Sequence, residues 1–176
     1  MKDLMSAKMR TEVDLIFLEL AKKSLAEAER AFQEIVTKSR NHEKVNIELF
    51  DNERNNSLIT IMFSYFALES HINKIGHDRL DAELWKEFMD MPTKKKWVLF
   101  SVLLSGKKFD KFGDFSKLKR WRNSLVHYKE CEFKELVKHK SGTNVSPIYK
   151  IINPRNAKFA YNTAKRMIDE LDNILK

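Results

Sequence analysis

The sequence predicts an all-α fold, a single-domain helical bundle over residues 1–176 with a short extended or hairpin excursion near 131–152. Three observations point there. Gly and Pro, which punctuate strands and tight turns, number only four and three. Apolar residues recur at the three-to-four spacing of a helix along most of the chain. And 176 residues suffice for one genuine core but not comfortably for two.

The first element runs from Thr11 to about Lys38, where Val13, Phe17, Leu20, Ala21, Ser24, Leu25, Ala28, Phe32, Ile35 and Val36 form one stripe with Glu and Lys between them. Residues 39–52 are polar and weakly patterned, and read as a connection with some helical extension. A second helix, from about Glu53 to Ile75, is apolar nearly all round between Leu58 and Leu68, as a central helix would be, and Gly76 sits where a left-handed cap would end it. On this helix Glu69 and Asn73 lie four apart on one face. A buried carboxylate without a partner is costly, so the pair must find partners or line a cleft.

Asp81 to Asp90 predicts a short helix with Leu84, Trp85 and Phe88 inward, stopped at Met91-Pro92. Lys94 to Ser105 predicts another, burying Trp97, Val98, Phe100, Val102 and Leu104, with Gly106 as its cap. Gly113-Asp114 supplies a break and an N-cap for a basic helix beginning near Lys117. After Tyr128 the pattern is mixed: Cys131, Phe133, Leu136 and Val137 fit helix or strand, Ser141 to Asn144 reads as a turn, and Ile148 to Ile152 reads as extended. Asn153-Pro154 is a cap and first-turn pair for a last amphipathic helix carrying Phe159, Thr163, Met167, Ile168, Leu171, Ile174 and Leu175.

Charge is concentrated. Residues 92–130 hold eleven Lys or Arg against Asp110, Asp114 and Glu130, which is the whole net charge of +8; the remaining residues carry 22 of each sign. A basic segment beside a neutral body is the footprint of a polyanion partner, although a solvated Lys-rich face gives the same count. The single Cys131 cannot form an internal disulfide, and the start of the chain lacks the apolar core of a signal peptide, so a cytoplasmic setting is expected. The apolar run from Trp97 to Leu104 falls far short of the ~20 residues of a membrane span, and no membrane association is expected.

Chemistry concentrates in Lys117 to Lys129. Leu118, Trp121 and Leu125 give this helix a core face, and Asn123 and His127 stand one turn apart on another. Arg122 points about 140° away from His127 on an ideal helix of 100° per residue. Its long arm could still lean into their shared cleft. Cleaving RNA needs a base to draw the proton from a 2′-hydroxyl and a cation to steady the attacked phosphate. Histidine as a residue type titrates in the right range, and arginine offers a planar fork matched to phosphate oxygens. Asn123 could orient the imidazole or the phosphate. One such set supplies half of a general acid and base pair, and a symmetric dimer apposing two of these helices would supply the rest. Lys117, Lys119, Arg120 and Lys129 would hold RNA.

Arg-Asn-Ser-Leu-Val-His resembles the Arg-polar-x-x-x-His signature of HEPN domains, all-α modules common in prokaryotic toxin and antiviral systems, many of them ribonucleases. Tyr65, Glu69 and Asn73 are similar to residues on the central helix of several such proteins. The resemblance implies dimerisation through the motif helices, a composite site and metal-independent cleavage leaving 2′,3′-cyclic phosphate. Arg122 and His127 would be catalytic, Asn123 would assist them, and Glu69 and Asn73 would support the cleft. It also brings an antitoxin or regulatory protein into view as a partner. One HEPN toxin subgroup carries Tyr two residues after the His; here Tyr128 follows directly and Lys129 takes that place.

No cofactor and no metal is expected. His71 and His77 are six apart with no third ligand at metal spacing, and no Gly-rich phosphate loop or carboxylate cluster is visible. Lys94, Lys95 and Lys96 beside Trp97 could bind a phosphate backbone, although Trp97 fits a core position better. Two function classes therefore stand: a metal-independent endoribonuclease of HEPN type, and a catalytically silent helical module that binds nucleic acid or a protein through the same basic segment.

Overall fold

A computed structural model describes residues 12–109, 112–127, 137–138, 144–145 and 148–176, and its architecture is an all-α bundle. Three long helices build the frame: α1 (Val13–Arg40), α2 (Ile47–Arg79) and α7 (Pro154–Ile174). Short α3 (Ala82–Phe88), α4 (Thr93–Ser105) and the basic α5 (Gly113–Val126) pack on its side. A two-residue antiparallel ladder pairs β1 (Val137–Lys138) with β2 (Asn144–Val145), Val137 opposite Val145, and so realises the hairpin excursion. The stretch Ile148 to Ile152, expected to be extended, instead opens with a single helical turn, α6 (Ile148–Ile151). Among the described residues no helix is long and apolar enough to cross a membrane.

Small residues let the frame close tightly. Ala21, Ala28 and Ala31 on α1 and Ala157, Ala160 and Ala164 on α7 are buried against α2, whose Ile61, Leu68 and Ile72 are fully buried. Helix α2 is longer than its apolar stretch implied: Asn46 caps it by accepting from the Glu48 N–H, and the polar residues after it form its first turns. Asn153 likewise caps α7 by accepting from the Asn156 N–H, as expected. Leu20, Phe32, Leu84 and Val102, all assigned inward faces from periodicity, are exposed. They lie at the margins of their stripes, where spacing alone does not separate core from rim.

Two caps differ from expectation. Gly106 ends α4 at φ 70°, the left-handed conformation that favours glycine. Gly76, by contrast, lies inside α2 and is buried. A Cβ there would collide with the Trp85 ring and stand 2.6 Å from Phe100 Cε2, so the missing side chain seats α3 and α4 against α2. Replacing Gly by Ala in a helix ordinarily gains up to about 1 kcal/mol. Here overpacking costs about 1–3 kcal/mol and wins. Gly76→Ala should lower the urea midpoint of unfolding, and a raised midpoint would show that Trp85 yields freely. The second differing cap is at α5, where Phe112 precedes the helix without a side-chain cap. Asp114 pairs with Arg166 instead.

An aromatic row ties the start of α5 to the core. Trp97, Phe109, Phe112 and Phe115 follow one another at ring separations of 5.2, 5.2 and 6.3 Å, and Phe115 stacks on Tyr65 of α2 at 6.0 Å. All five rings are buried, so Trp97 is core rather than a stacking platform.

At one end of the frame a buried ionic contact ties α1 to α2. His71 Nδ1 lies 2.7 Å from Asp14 Oδ2, and both side chains are almost wholly enclosed. Lys74 Nζ stands 3.9 Å from the other Asp14 oxygen. His71 Nε2 is 3.1 Å from Asp172 on α7, outside good hydrogen-bond geometry. Burial works to raise the Asp14 carboxyl, but the His71 hydrogen bond and the Lys74 charge outweigh it and hold it below its ordinary value. His77, by contrast, is exposed beside Asp78.

Candidate functional site

Helix α5 runs antiparallel to α7. Its start is fixed by the Asp114–Arg166 pair and its second half by the edge-to-face contact of Trp121 with Phe159, at 5.4 Å. Phe115 and Leu118 are fully buried beneath it. With that face turned inward, Ser116, Arg120, Asn123 and His127 share a face turned away from it, since they recur at i, i+4, i+7 and i+11.

They line a cleft of about 520 Å³, together with Lys94 from α4 and Phe115, Lys119 and Ser124 from α5. The lining holds three permanent cations and no carboxylate. Asn123 and His127, expected together, are brought together. His127 sits just past the last turn as the C-cap, its N–H donating to the Asn123 carbonyl at 2.9 Å, and its ring is exposed. Ser116 and Ser124 escaped the sequence reading, although Ser116 was legible from the same spacing that joins Asn123 to His127.

Arg122 does not lean into this cleft. Its guanidinium lies over the Tyr65 ring, 5.3 Å from the centroid, and Nε is buried without a hydrogen-bond partner among the described residues. The physical reason is its helical phase: the side chain leaves α5 toward α2, where a ring face attracts the cation. One link to the cleft remains, since Arg122 Nη1 donates to Asn123 Oδ1 at 3.2 Å.

Glu69 and Asn73 find partners on α4 instead of lining the cleft. Thr93 Oγ1 donates to Glu69 Oε1 at 3.0 Å, and Lys96 Nζ donates to Asn73 Oδ1 at 2.7 Å and to the Met89 carbonyl. Lys96 is 5% exposed, so the Lys94 to Lys96 run is not one phosphate-binding surface. Burial pushes its ammonium below the usual value, opposed by the Glu69 and Asp90 charges. Burial likewise pushes the Tyr65 phenol up, with Thr93 and Arg122 pulling it down and Glu69 adding to the rise. Tyr65, Glu69 and Asn73 thus form a polar seam that fixes α4 and holds Arg122 from below.

The residues expected to bind nucleic acid divide. Lys119 and Arg120 line the cleft, whereas the Lys117 ammonium folds over Phe159 and Trp121, 4.4 and 4.8 Å from their ring centres. Lys129, Tyr128 and Cys131 lie outside the described residues. Among the described residues no group of three or more His, Cys, Asp or Glu is placed to hold a metal. Set against known protein families, characterised proteins and solved structures, the chain matches none of them.

Proposed function

We propose that the protein is a metal-independent endoribonuclease of HEPN type, acting in the α5 cleft. The observation that carries this reading is the lining: an exposed imidazole at the mouth of a concavity walled by Lys94, Lys119 and Arg120 with no carboxylate to repel phosphate. In this reading the three cations hold the RNA backbone. His127 draws the proton from the 2′-hydroxyl or delivers one to the leaving 5′-oxygen; the 2′-oxygen attacks the adjacent 3′-phosphate, the bond from phosphorus to the 5′-oxygen breaks, and a 2′,3′-cyclic phosphate and a 5′-hydroxyl result. A second copy of the chain supplies the complementary His127. Arg122 reaches the scissile phosphate by leaving Tyr65. Giving up that contact costs about 0.5–2 kcal/mol. Charge-assisted bonds to phosphate, worth about 1.5–3 kcal/mol each, offset it. A role as toxin or antiviral effector, with an antitoxin or regulatory partner, belongs to the same proposal.

The inward position of Arg122 favours a second reading, a helical module that binds nucleic acid without cutting it. One assay separates them: incubation of a mixed RNA pool in EDTA, with end-group analysis of the products. The ribonuclease reading expects 2′,3′-cyclic phosphate ends that the Arg122→Ala protein does not produce. RNA that is bound and left intact at every protein concentration would leave the binding module.

A further inference from the structure

The α5 cleft is not the sole basic concavity. A second one, of about 590 Å³, lies between α1 and the first turns of α7, lined by Arg30, Phe32 and Gln33 on one side and Arg155 and Lys158 on the other, with Glu29 alongside. Phe32 is 43% exposed, an aromatic ring left standing in water while its helix neighbours Ala28, Ala31 and Ile35 are buried. Arg155 is exposed, and no described residue pairs with it. Lys158 reaches across to Glu29 at 2.9 Å, both ends open to solvent, and Arg30 pairs with Glu27 along its own helix. Such exposed pairs are weak and readily exchanged for a phosphate.

The place of this cleft matters as much as its content. Because α5 and α7 are antiparallel, the seven residues from Trp121 to His127 run alongside the seven from Phe159 back to Asn153. His127 is therefore level with the first turn of α7, where Arg155 emerges. Phe159 faces α5, and Lys158, one residue away, faces α1. Since α5 turns Trp121 toward α7 and the lining of its cleft toward Lys94 of α4, the two clefts open on different sides of the α5 and α7 pair, and only a strand long enough to pass round that helix end can occupy both.

We propose that this second cleft holds single-stranded RNA beyond the α5 cleft, with a base stacked on Phe32 and the backbone on Arg155, Arg30 and Lys158. A ring interleaved with cations is the chemistry by which single strands are gripped without sequence preference. The proposal rests on the nucleic-acid reading above, but not on catalysis.

The test measures binding of 2′-O-methyl oligoadenylates, which lack the attacking hydroxyl, so affinity is read independently of cleavage. Phe32→Ala and Arg155→Glu are compared with the wild type, with circular dichroism as the check on folding. On an oligomer of about 20 nucleotides each variant should bind about 5- to 20-fold more weakly, in keeping with the loss of one stacked base or one backbone contact. An oligomer of about 5 nucleotides, within the reach of one cleft, should lose less. Two folded variants that bind the long oligomer like the wild type would overturn the proposal, even if the protein cleaves RNA. Weakened binding of the long oligomer by the variants, together with an unmodified RNA pool that the wild type leaves intact, would overturn the ribonuclease reading and leave this one standing. A wild type that binds neither oligomer would overturn this proposal, and cleavage of the unmodified pool would still decide the ribonuclease reading.

Discussion

His127→Ala is expected to lower RNA cleavage about 100- to 10,000-fold, the range over which one positioned general acid or base acts. Under the proposed function RNA affinity should scarcely change, because the backbone would be held by Lys94, Lys119 and Arg120, which line the same cleft. Stability should also hold: His127 is an exposed C-cap, and the α5 hydrogen bond it makes is donated by its backbone N–H, which alanine retains. Surface changes of this kind stay within about 0.5 kcal/mol. Single-turnover cleavage at saturating RNA is the measurement. A rate within about threefold of wild type would remove His127 from the chemistry, since a real proton-transfer role is worth far more.

The largest effect on stability is expected at the opposite end of the bundle. His71→Ala leaves the Asp14 carboxylate enclosed, with Lys74 at 3.9 Å as the cation that remains beside it among the described residues and the Leu15 backbone as a hydrogen-bond donor. Breaking one side of a buried pair typically costs about 3–5 kcal/mol. The half-exposed Asp172 marks a route for water, so the lower end is expected here. About 3 kcal/mol corresponds to a fall in Tm of roughly 6–12 °C for a chain of this size.

The pH dependence has a definite sign. A carboxyl held below its ordinary value of 3.8 in the folded state contributes stability above that value, and the contribution disappears as pH falls through the lowered one. The gap between wild type and His71→Ala should therefore be widest above the ordinary carboxyl value and narrow as the solution is acidified past it. Denaturant midpoints across this range decide the matter. A gap that is constant with pH would show that His71 stabilises by packing, beside Trp97 at 6.2 Å, rather than by charge.

The frame was legible because its signals are periodic. The stripes of α1 and α7 and the all-round apolar stretch of α2 each required burial, and burial of three such helices requires a bundle. What escaped was set by tertiary contact. Gly76 looks like a cap in sequence because glycine commonly ends helices, and only the rings of Trp85 and Phe100 reveal that it is there for want of volume. Of the row Phe109, Phe112, Phe115 only the last lies within a helix, so no single period exposes it. In the site, helical phase correctly joined Asn123 to His127 and correctly placed Arg122 far round the helix. The length of an arginine side chain then left its direction open, and the Tyr65 ring decided it.

The eleven cations between residues 92 and 130 do not act as one sum. Lys96 is enclosed between Asn73 and the Met89 carbonyl, and Lys117 lies over two rings, while Lys94, Lys119 and Arg120 meet around one hollow. Charge of one sign on concave, low-dielectric walls concentrates the field outward through the opening. The molecule thus has an electrostatic front. Under the proposed function, an approaching RNA feels a torque as well as an attraction, and its backbone is turned toward the cleft that His127 lines before any side chain touches it.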